Sequence, residues 1–381
     1  MANRWVALAL VFVTRSTMGV QFQALASVAP LLMSDLGLSY AQVGWLIGIY
    51  MLPGMLLAFP GGVIGQRFGE RRLVLIGLAL MVAGSVLTAF AGGFATAVAG
   101  RLVSGIGAVL MNILLPKLVA DWFEGKEIAT AMAVVLTSWP VGLGLATATL
   151  GGLAAGTSWR RALLVTAALA GVGFVLMLLF REAPRASAPV RARLEAREVR
   201  LGIAGGFAWG CFNASLVTII AFGPGLLMAR GMALGDAGYV VSLAIWLTMI
   251  SVPLGGVLSD RLGRPALVIV LGSLVAAGAT LLLPVWSHAV LAFAVVGLAV
   301  GPPPGPLMSL VPRAVAPERV TSTFGVFYTV FYLMMALTQP VAGLVRDRAV
   351  DPAAPIVFAA LVMATTVVGL GLFRRLERPA T

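Results

Sequence analysis

Two guanidinium groups, Arg15 and Arg101, stand inside long apolar stretches, and none of the 14 acidic residues falls in the middle of such a stretch. An ionised side chain at the centre of a membrane helix costs at least about 2.5–3.5 kcal/mol on insertion scales, so its presence points to a function. Two cations without a carboxylate leave the interior positive, and the simplest agent to neutralise it is an anionic ligand. Arginine suits that task. Its planar fork gives an oxyanion two parallel hydrogen bonds, and it stays charged whatever the pH. Gln21 and Gln23 follow Arg15 one to two helical turns on, and helix placement adds Trp209, Asn213, Tyr328, Tyr332 and Gln339 as candidates to line a pocket. The plainer alternative has Arg15 snorkelling to an interface or bonded to carbonyls of a neighbouring helix, with the aromatic residues as core.

The elements that must position these groups are membrane helices. With 60% hydrophobic residues, 10% charged and a mean hydropathy of +1.03, the composition excludes a soluble globular protein. Apolar runs long enough to cross about 30 Å of hydrocarbon recur along the chain. They place spans at 5–33, 41–65, 73–92, 95–119, 127–154 and 160–180, then at 201–229, 237–259, 266–286, 288–311, 319–345 and 353–373. The first run is too long for a signal peptide, contains Arg15 and is read as a retained helix. Lysine and arginine fall 19 on one side of this map and 5 on the other, which puts both termini in the cytoplasm. The net charge of +12 is therefore a topology signal, and nucleic acid is not an expected partner. A single cysteine, Cys211, excludes a disulfide within the chain, and one histidine, His288, gives no basis for a metal site.

The chain also repeats itself. Gly62-Val63-Ile64-Gly65-Gln66-Arg67-Phe68-Gly69-Glu70-Arg71-Arg72 returns as Gly256-Val257-Leu258-Ser259-Asp260-Arg261-Leu262-Gly263-Arg264-Pro265, an offset of 194. The same offset maps Pro30 onto Pro224, Gly37 onto Gly231, Gly44 onto Gly238 and Gly61 onto Gly255. Such periodicity marks a duplication. The halves are 1–180 and 201–381, joined by a polar linker at 181–200. The doubled turn resembles the signature loop of the major facilitator superfamily, which joins the second and third helices of each six-helix half. One departure is that Gln66 stands where the family has an acid, while Asp260 keeps it in the second copy.

The resemblance implies an all-α membrane protein with twelve transmembrane helices in two pseudo-symmetric six-helix bundles, whose first and fourth helices line a central cavity. Gly100-Arg101-Leu102-Val103-Ser104-Gly105-Ile106-Gly107 resembles the family's fourth-helix motif, in which the arginine serves proton coupling or packing against the first helix and the glycines admit a neighbouring helix. The loop residues Gly62, Gln66, Arg67, Gly69, Arg71, Gly256, Asp260, Arg261, Gly263 and Arg264 are expected to gate, with cations meeting carboxyl ends or acids of the opposing half. The missing acid at Gln66 makes Asp260 the heavier side of that latch. A weaker similarity links Thr14–Leu32 to the cyanate and nitroimidazole-type branch. The implied function is secondary active transport of a small anion across a bacterial-type inner membrane, by exchange or proton symport, in a monomer without cofactor. A multidrug/proton antiporter of the same fold and a non-transporting sensor are the alternatives. Pro302-Pro303-Pro304-Gly305-Pro306 is expected to interrupt the tenth helix, as a gating kink or a packing irregularity.

Overall fold

In hydrocarbon every backbone polar group needs a partner within the protein, so these apolar runs close their hydrogen bonds as helices. The computed structural model describes residues 3–58, 60–123, 127–182 and 194–377, with the backbone alone at 61–63, 66 and 129. Twelve helices in that range are long and apolar enough to cross a membrane. They are α1 (Arg4–Leu36), α2 (Tyr40–Leu57), α3 (Glu70–Ala89), α4 (Phe94–Trp122), α5 (Thr130–Gly156), α6 (Trp159–Leu179), α7 (Ala196–Met228), α8 (Leu234–Leu262), α9 (Pro265–Leu282), α10 (Ala289–Ala314), α11 (Pro317–Ala349) and α12 (Ala354–Glu377).

Two boundaries differ from the sequence expectation, each for a local reason, and one expected interruption is present. The second span is not continuous to residue 65: regular helix stops at Gly48, resumes at Pro53–Leu57, and a separate short helix covers Gly61–Phe68. Pro53 and Pro60 have no N–H to continue the ladder. The tenth helix breaks after Ala299 and resumes at Pro304, as its proline run requires. A Cβ on Gly255 or Gly272 would collide with Pro302 or Pro303, so the break is packed into α8 and α9. The seventh helix starts at Ala196 rather than 201, because Glu195 and Glu198 form a reciprocal cap there. Most of the expected linker 181–200, and the end of the second half beyond 377, lie outside the described residues.

The 194-residue repeat reappears as two related seams. On α2, a Cβ at Gly44 would overlap the Gln339 carbonyl of α11, and one at Gly48 would overlap that of Ala336. At the repeat mate of Gly44, a Cβ on Gly238 of α8 would overlap the Thr147 carbonyl of α5. Helices approach this closely only where side chains are absent. Both seams lie toward the end of the molecule away from the termini. There Asp347 at the end of α11 accepts the backbone N–H groups of Tyr40 (2.9 Å) and Ala41 (2.8 Å), which open α2. A carboxylate is favoured at that position by the unpaired amides and positive dipole of a helix start.

Burial along α11 shows where the seam ends. From Met335 to Gly343 most residues are buried, whereas between 317 and 331 only Thr323 and Phe327 are, and both face α7 of their own half. The halves are therefore joined at the far end and part toward the end that carries the termini. Asp347→Asn keeps the shape but halves the acceptor and removes the charge. Its loss should cost the far-end closure about 1–2 kcal/mol, raising hydrogen–deuterium exchange in the peptide 39–48 about tenfold while α6 stays as protected as before. Unchanged exchange at 39–48 would show that the glycine seams close this end alone.

Candidate functional site

The position of Arg15 follows from two residues of α5. Gly142 and Gly19 let α5 and α1 cross in contact: a Cβ on Gly142 would overlap the Ser16 carbonyl, and one on Gly19 would come within 2.6 Å of the Trp139 carbonyl. Pro140 has no N–H for the Leu136 carbonyl four residues before it, so that oxygen is left without its helical partner. Helical side chains point back toward the helix start, which brings Arg15 to this exposed backbone. Its Nη1 donates to the carbonyls of Val135 (3.1 Å) and Leu136 (3.4 Å) and to Ser138 Oγ (3.0 Å), and its Nη2 donates to Asn112 Oδ1 (2.8 Å). Its Nε is buried without a partner. Among the described residues no carboxylate pairs with Arg15, so a full charge is solvated by neutral oxygens and one of its donors is left open.

Asn112 carries the contact across the two halves. Its Nδ2 donates to the hydroxyl of Tyr332 on α11 at 2.7 Å. Sequence reasoning did not single it out, although a signal was present. It lies 11 residues from Arg101, three turns of helix, and so on the same face of α4. Ser138 was missed likewise; only the proline after it makes its neighbourhood receptive to a cation. Tyr332 packs its ring against Gly54 of α2 and is a step of the ridge 324–328–332–336–340. The next two, Tyr328 and Phe324, are half-buried. Trp209 is half-buried too and meets this group through Phe331, their ring centroids 6.4 Å apart. Asn213 spends its Nδ2 on the Trp209 carbonyl at 2.9 Å, a bond within its own helix.

Other candidates are spent on packing. Arg101 donates to the carbonyls of Leu46 (2.9 Å), Gln21 (3.0 Å) and Phe22 (3.2 Å), and its guanidinium lies 4.3 Å from the Tyr50 ring centroid. It ties α4 to α1 and α2. Gly105 permits the approach to α2, since a Cβ on it would overlap the Tyr50 carbonyl, while Gly107 lets α4 close on α3 at the Gly77 carbonyl. Gln21 turns to α3, donating to the Met81 carbonyl at 3.0 Å, and Gln339 is fully buried against α7, donating to the Ala214 carbonyl at 3.1 Å. Neither joins Arg15. Gln23 is buried with its Nε2 unpartnered.

The repeated loops differ from each other. Gly69 (φ 88°) and Gly263 (φ 61°) both sit on the left-handed side of backbone space, where a side chain is strained, which accounts for glycine in each copy. Gly256 has open space around its Cα. Arg71 does meet a helix carboxyl end, but that of α6 in its own half: it donates to the carbonyls of Met177 (3.1 Å) and Leu178 (2.7 Å), and its N–H to Glu182 Oε1 (2.9 Å). Among the described residues Arg71 makes no contact with the opposing half, from which it is parted at this end. Arg67, Asp260, Arg261 and Arg264 are exposed. Gly62 contributes only backbone to the short helix, and the side chain of Gln66 lies outside the described residues.

Comparison with known proteins agrees with this geometry. The family model described as Major Facilitator Superfamily matches residues 11–339. The uncharacterized MFS-type transporter EfpA of Mycobacterium tuberculosis is 34% identical over 44% of this chain and 31% of its own length. The hexuronate transporter of Bacillus subtilis is 24% identical over 62% of this chain and 60% of its own. The chain thus spans less than two thirds of these curated relatives. Among solved structures, a bacterial homologue of the human lysosomal transporter Spinster covers 99% of this chain and 97% of its own at 17% identity, with TM-score 0.76. A point mutant of the nucleoside transporter NupG covers 98% of this chain and 100% of its own at 14% identity, with TM-score 0.80. At these identities the structures share the fold.

The division of labour between the two arginines is testable. Arg101→Met removes the donors from three buried carbonyls and should destabilise the protein by about 2–3 kcal/mol, read as a lower unfolding temperature in detergent, while the folded fraction keeps its ligand affinity. A stable Arg101→Met protein with lost ligand binding would move Arg101 from packing into the site.

Proposed function

The chain belongs to the major facilitator superfamily, and from that premise we propose that it moves a small organic anion across a membrane by alternating access, through exchange or proton symport. The observation that carries this reading is Arg15, a permanent charge in the first half, one side chain from Tyr332 of the second, whose partners are all neutral oxygens. Carbonyl, hydroxyl and amide dipoles lower the cost of burying a guanidinium without cancelling its charge. A carboxylate cancels it, and Nε with Nη2 forms one side of the arginine fork on which a carboxylate makes two bonds. The similarity to a transporter named for hexuronate, a sugar carboxylate, points the same way. An exporter of cationic drugs usually carries an acid at membrane depth, and none of the 14 acidic residues falls in the middle of a span.

The excess of lysine and arginine at the termini's end supports cytoplasmic termini and a bacterial-type inner membrane as the setting. On that orientation the closed far end faces outward and the parted end faces the cytoplasm, one of the two states that alternating access requires. In the opposite state the repeated loops approach each other, and Asp260, which the first copy lacks at Gln66, meets the other half. The working unit is a monomer, since both halves of the site come from one chain.

Uptake of labelled organic anions and of cationic dyes into proteoliposomes separates the readings. The protein is expected to take up an anion and no dye. Arg15→Gln, folded and inserted to the same level, should lower anion transport by about 10², the loss of two charge-assisted hydrogen bonds. Arg15→Lys keeps the charge without the fork and should fall in between. Anion transport at the wild-type rate by Arg15→Gln would remove Arg15 from the site.

A further inference from the structure

The ridge of α11 that seals the halves at the far end changes character where the halves part. Pro340 and Ala336 are small and fit under Gly44 and Gly48 of α2. One turn on, Tyr332 fills the space over Gly54 and bonds to Asn112. Continuing at one residue per turn, the same ridge presents Tyr328 and then Phe324, both half-buried. Their rings stack at 6.0 Å with 30° between planes, and Phe331 and Tyr332 stand edge-on to each other at 5.1 Å. Both rings pack against the core on one side and stay half-exposed on the other, which leaves part of their surface for a flat apolar group.

Arg15 lies at the upper end of this ridge, connected to Tyr332 through the single side chain of Asn112. One cation from the first half therefore meets a run of aromatic faces from the second. We infer that the substrate is an amphipathic monocarboxylate with a flat, ring-bearing body, its carboxylate on Arg15 and its ring along Tyr328 and Phe324. The inference rests on the anion reading above and narrows it. A single uncompensated positive charge fits one negative charge, and a second carboxylate or a sulfonate would find no cation among the described residues of this cluster. The ring supplies apolar area and offset stacking that a short aliphatic acid or a hydroxylated sugar acid does not. Bridging both halves, such a molecule also ties carboxylate binding in one half to the α11 ridge of the other, which must slide on α2 when the gate changes sides.

Four probes separate charge from ring: butyrate, 4-phenylbutyrate, 4-phenylbutan-1-ol and a dicarboxylate of similar length, suberate. Binding to the purified full-length protein is measured by thermal stabilisation and calorimetry. 4-Phenylbutyrate is expected to bind at least about tenfold more tightly than each of the other three. Tyr328→Leu and Phe324→Leu should each lower 4-phenylbutyrate affinity by about fivefold and leave butyrate unchanged, with unfolding temperature of the unliganded protein as the folding control. Should either variant fail to fold, Tyr328→Phe, which keeps the face, must bind 4-phenylbutyrate like wild type. If butyrate or suberate binds as tightly as 4-phenylbutyrate, the ring-bearing class is overturned while anion binding stands. If 4-phenylbutan-1-ol binds as tightly as the acid, anion recognition itself is overturned.

Discussion

A permanent charge cannot be left bare in a medium of low dielectric, and Arg15 is held there by a continuous helix whose hydrogen-bond ladder lacks one donor at Pro140. Pro140 removes the amide that the Leu136 carbonyl would have used, and the guanidinium takes that oxygen and its neighbours instead. Gly19 and Gly142 bring the two helices close enough for the reach. Dipoles of this kind stabilise the cation without neutralising it, and the proposal of an anionic substrate rests on that remaining charge. A protein carboxylate in the same place would have formed a buried ion pair and quenched that charge. Deleting one member of such a pair is costly, whereas a mobile anion can come and go.

The second constraint is that the site and the gate share one helix. The α11 ridge that runs under Gly48 and Gly44 at the closed end is the ridge that carries Tyr332 under Gly54 and the half-buried Tyr328 one turn beyond. The repeat supplies the matching seam between α8 and α5 through Gly238 and Thr147, so opening the far end requires both seams to be broken together. Asp347 fastens the first of them by capping α2 from across the interface. Arg101 acts within one half, clamping α4 to α1 and α2 so that Arg15 and Asn112 move as one body.

Much of this was legible in the sequence. The 194-residue offset identified the duplication, and Gly44 with Gly238, and Gly69 with Gly263, proved to hold equivalent places. Hydropathy gave the twelve spans, and the proline run gave the break in α10. The direction of a polar side chain was not legible. Gln21, Gln339 and Arg101 are as conspicuous in an apolar run as Arg15, yet they serve neighbouring helices. A helix inside a bundle has polar positions facing partners as well as the gap, and periodicity alone does not distinguish the two. Asn112 was passed over because one asparagine near a helix end looks like a boundary, and its role exists only through Arg15 and Tyr332, which are distant in sequence. The start of α7 and the interruption of α2 depended on a cap and on two prolines, which hydropathy does not weigh.

The most direct measurement is a structure determined with an iodine-labelled carboxylate, 4-(4-iodophenyl)butyrate, bound to the full-length protein. The carboxylate oxygens are expected at about 2.7–2.9 Å from Arg15 Nε and Nη2, with Asn112 turned away from the guanidinium and the iodine signal beside Tyr328 and Phe324. A carboxylate bound elsewhere, with Arg15 still held only by Asn112, Ser138 and the α5 carbonyls, would contradict this and leave Arg15 as a helix clamp.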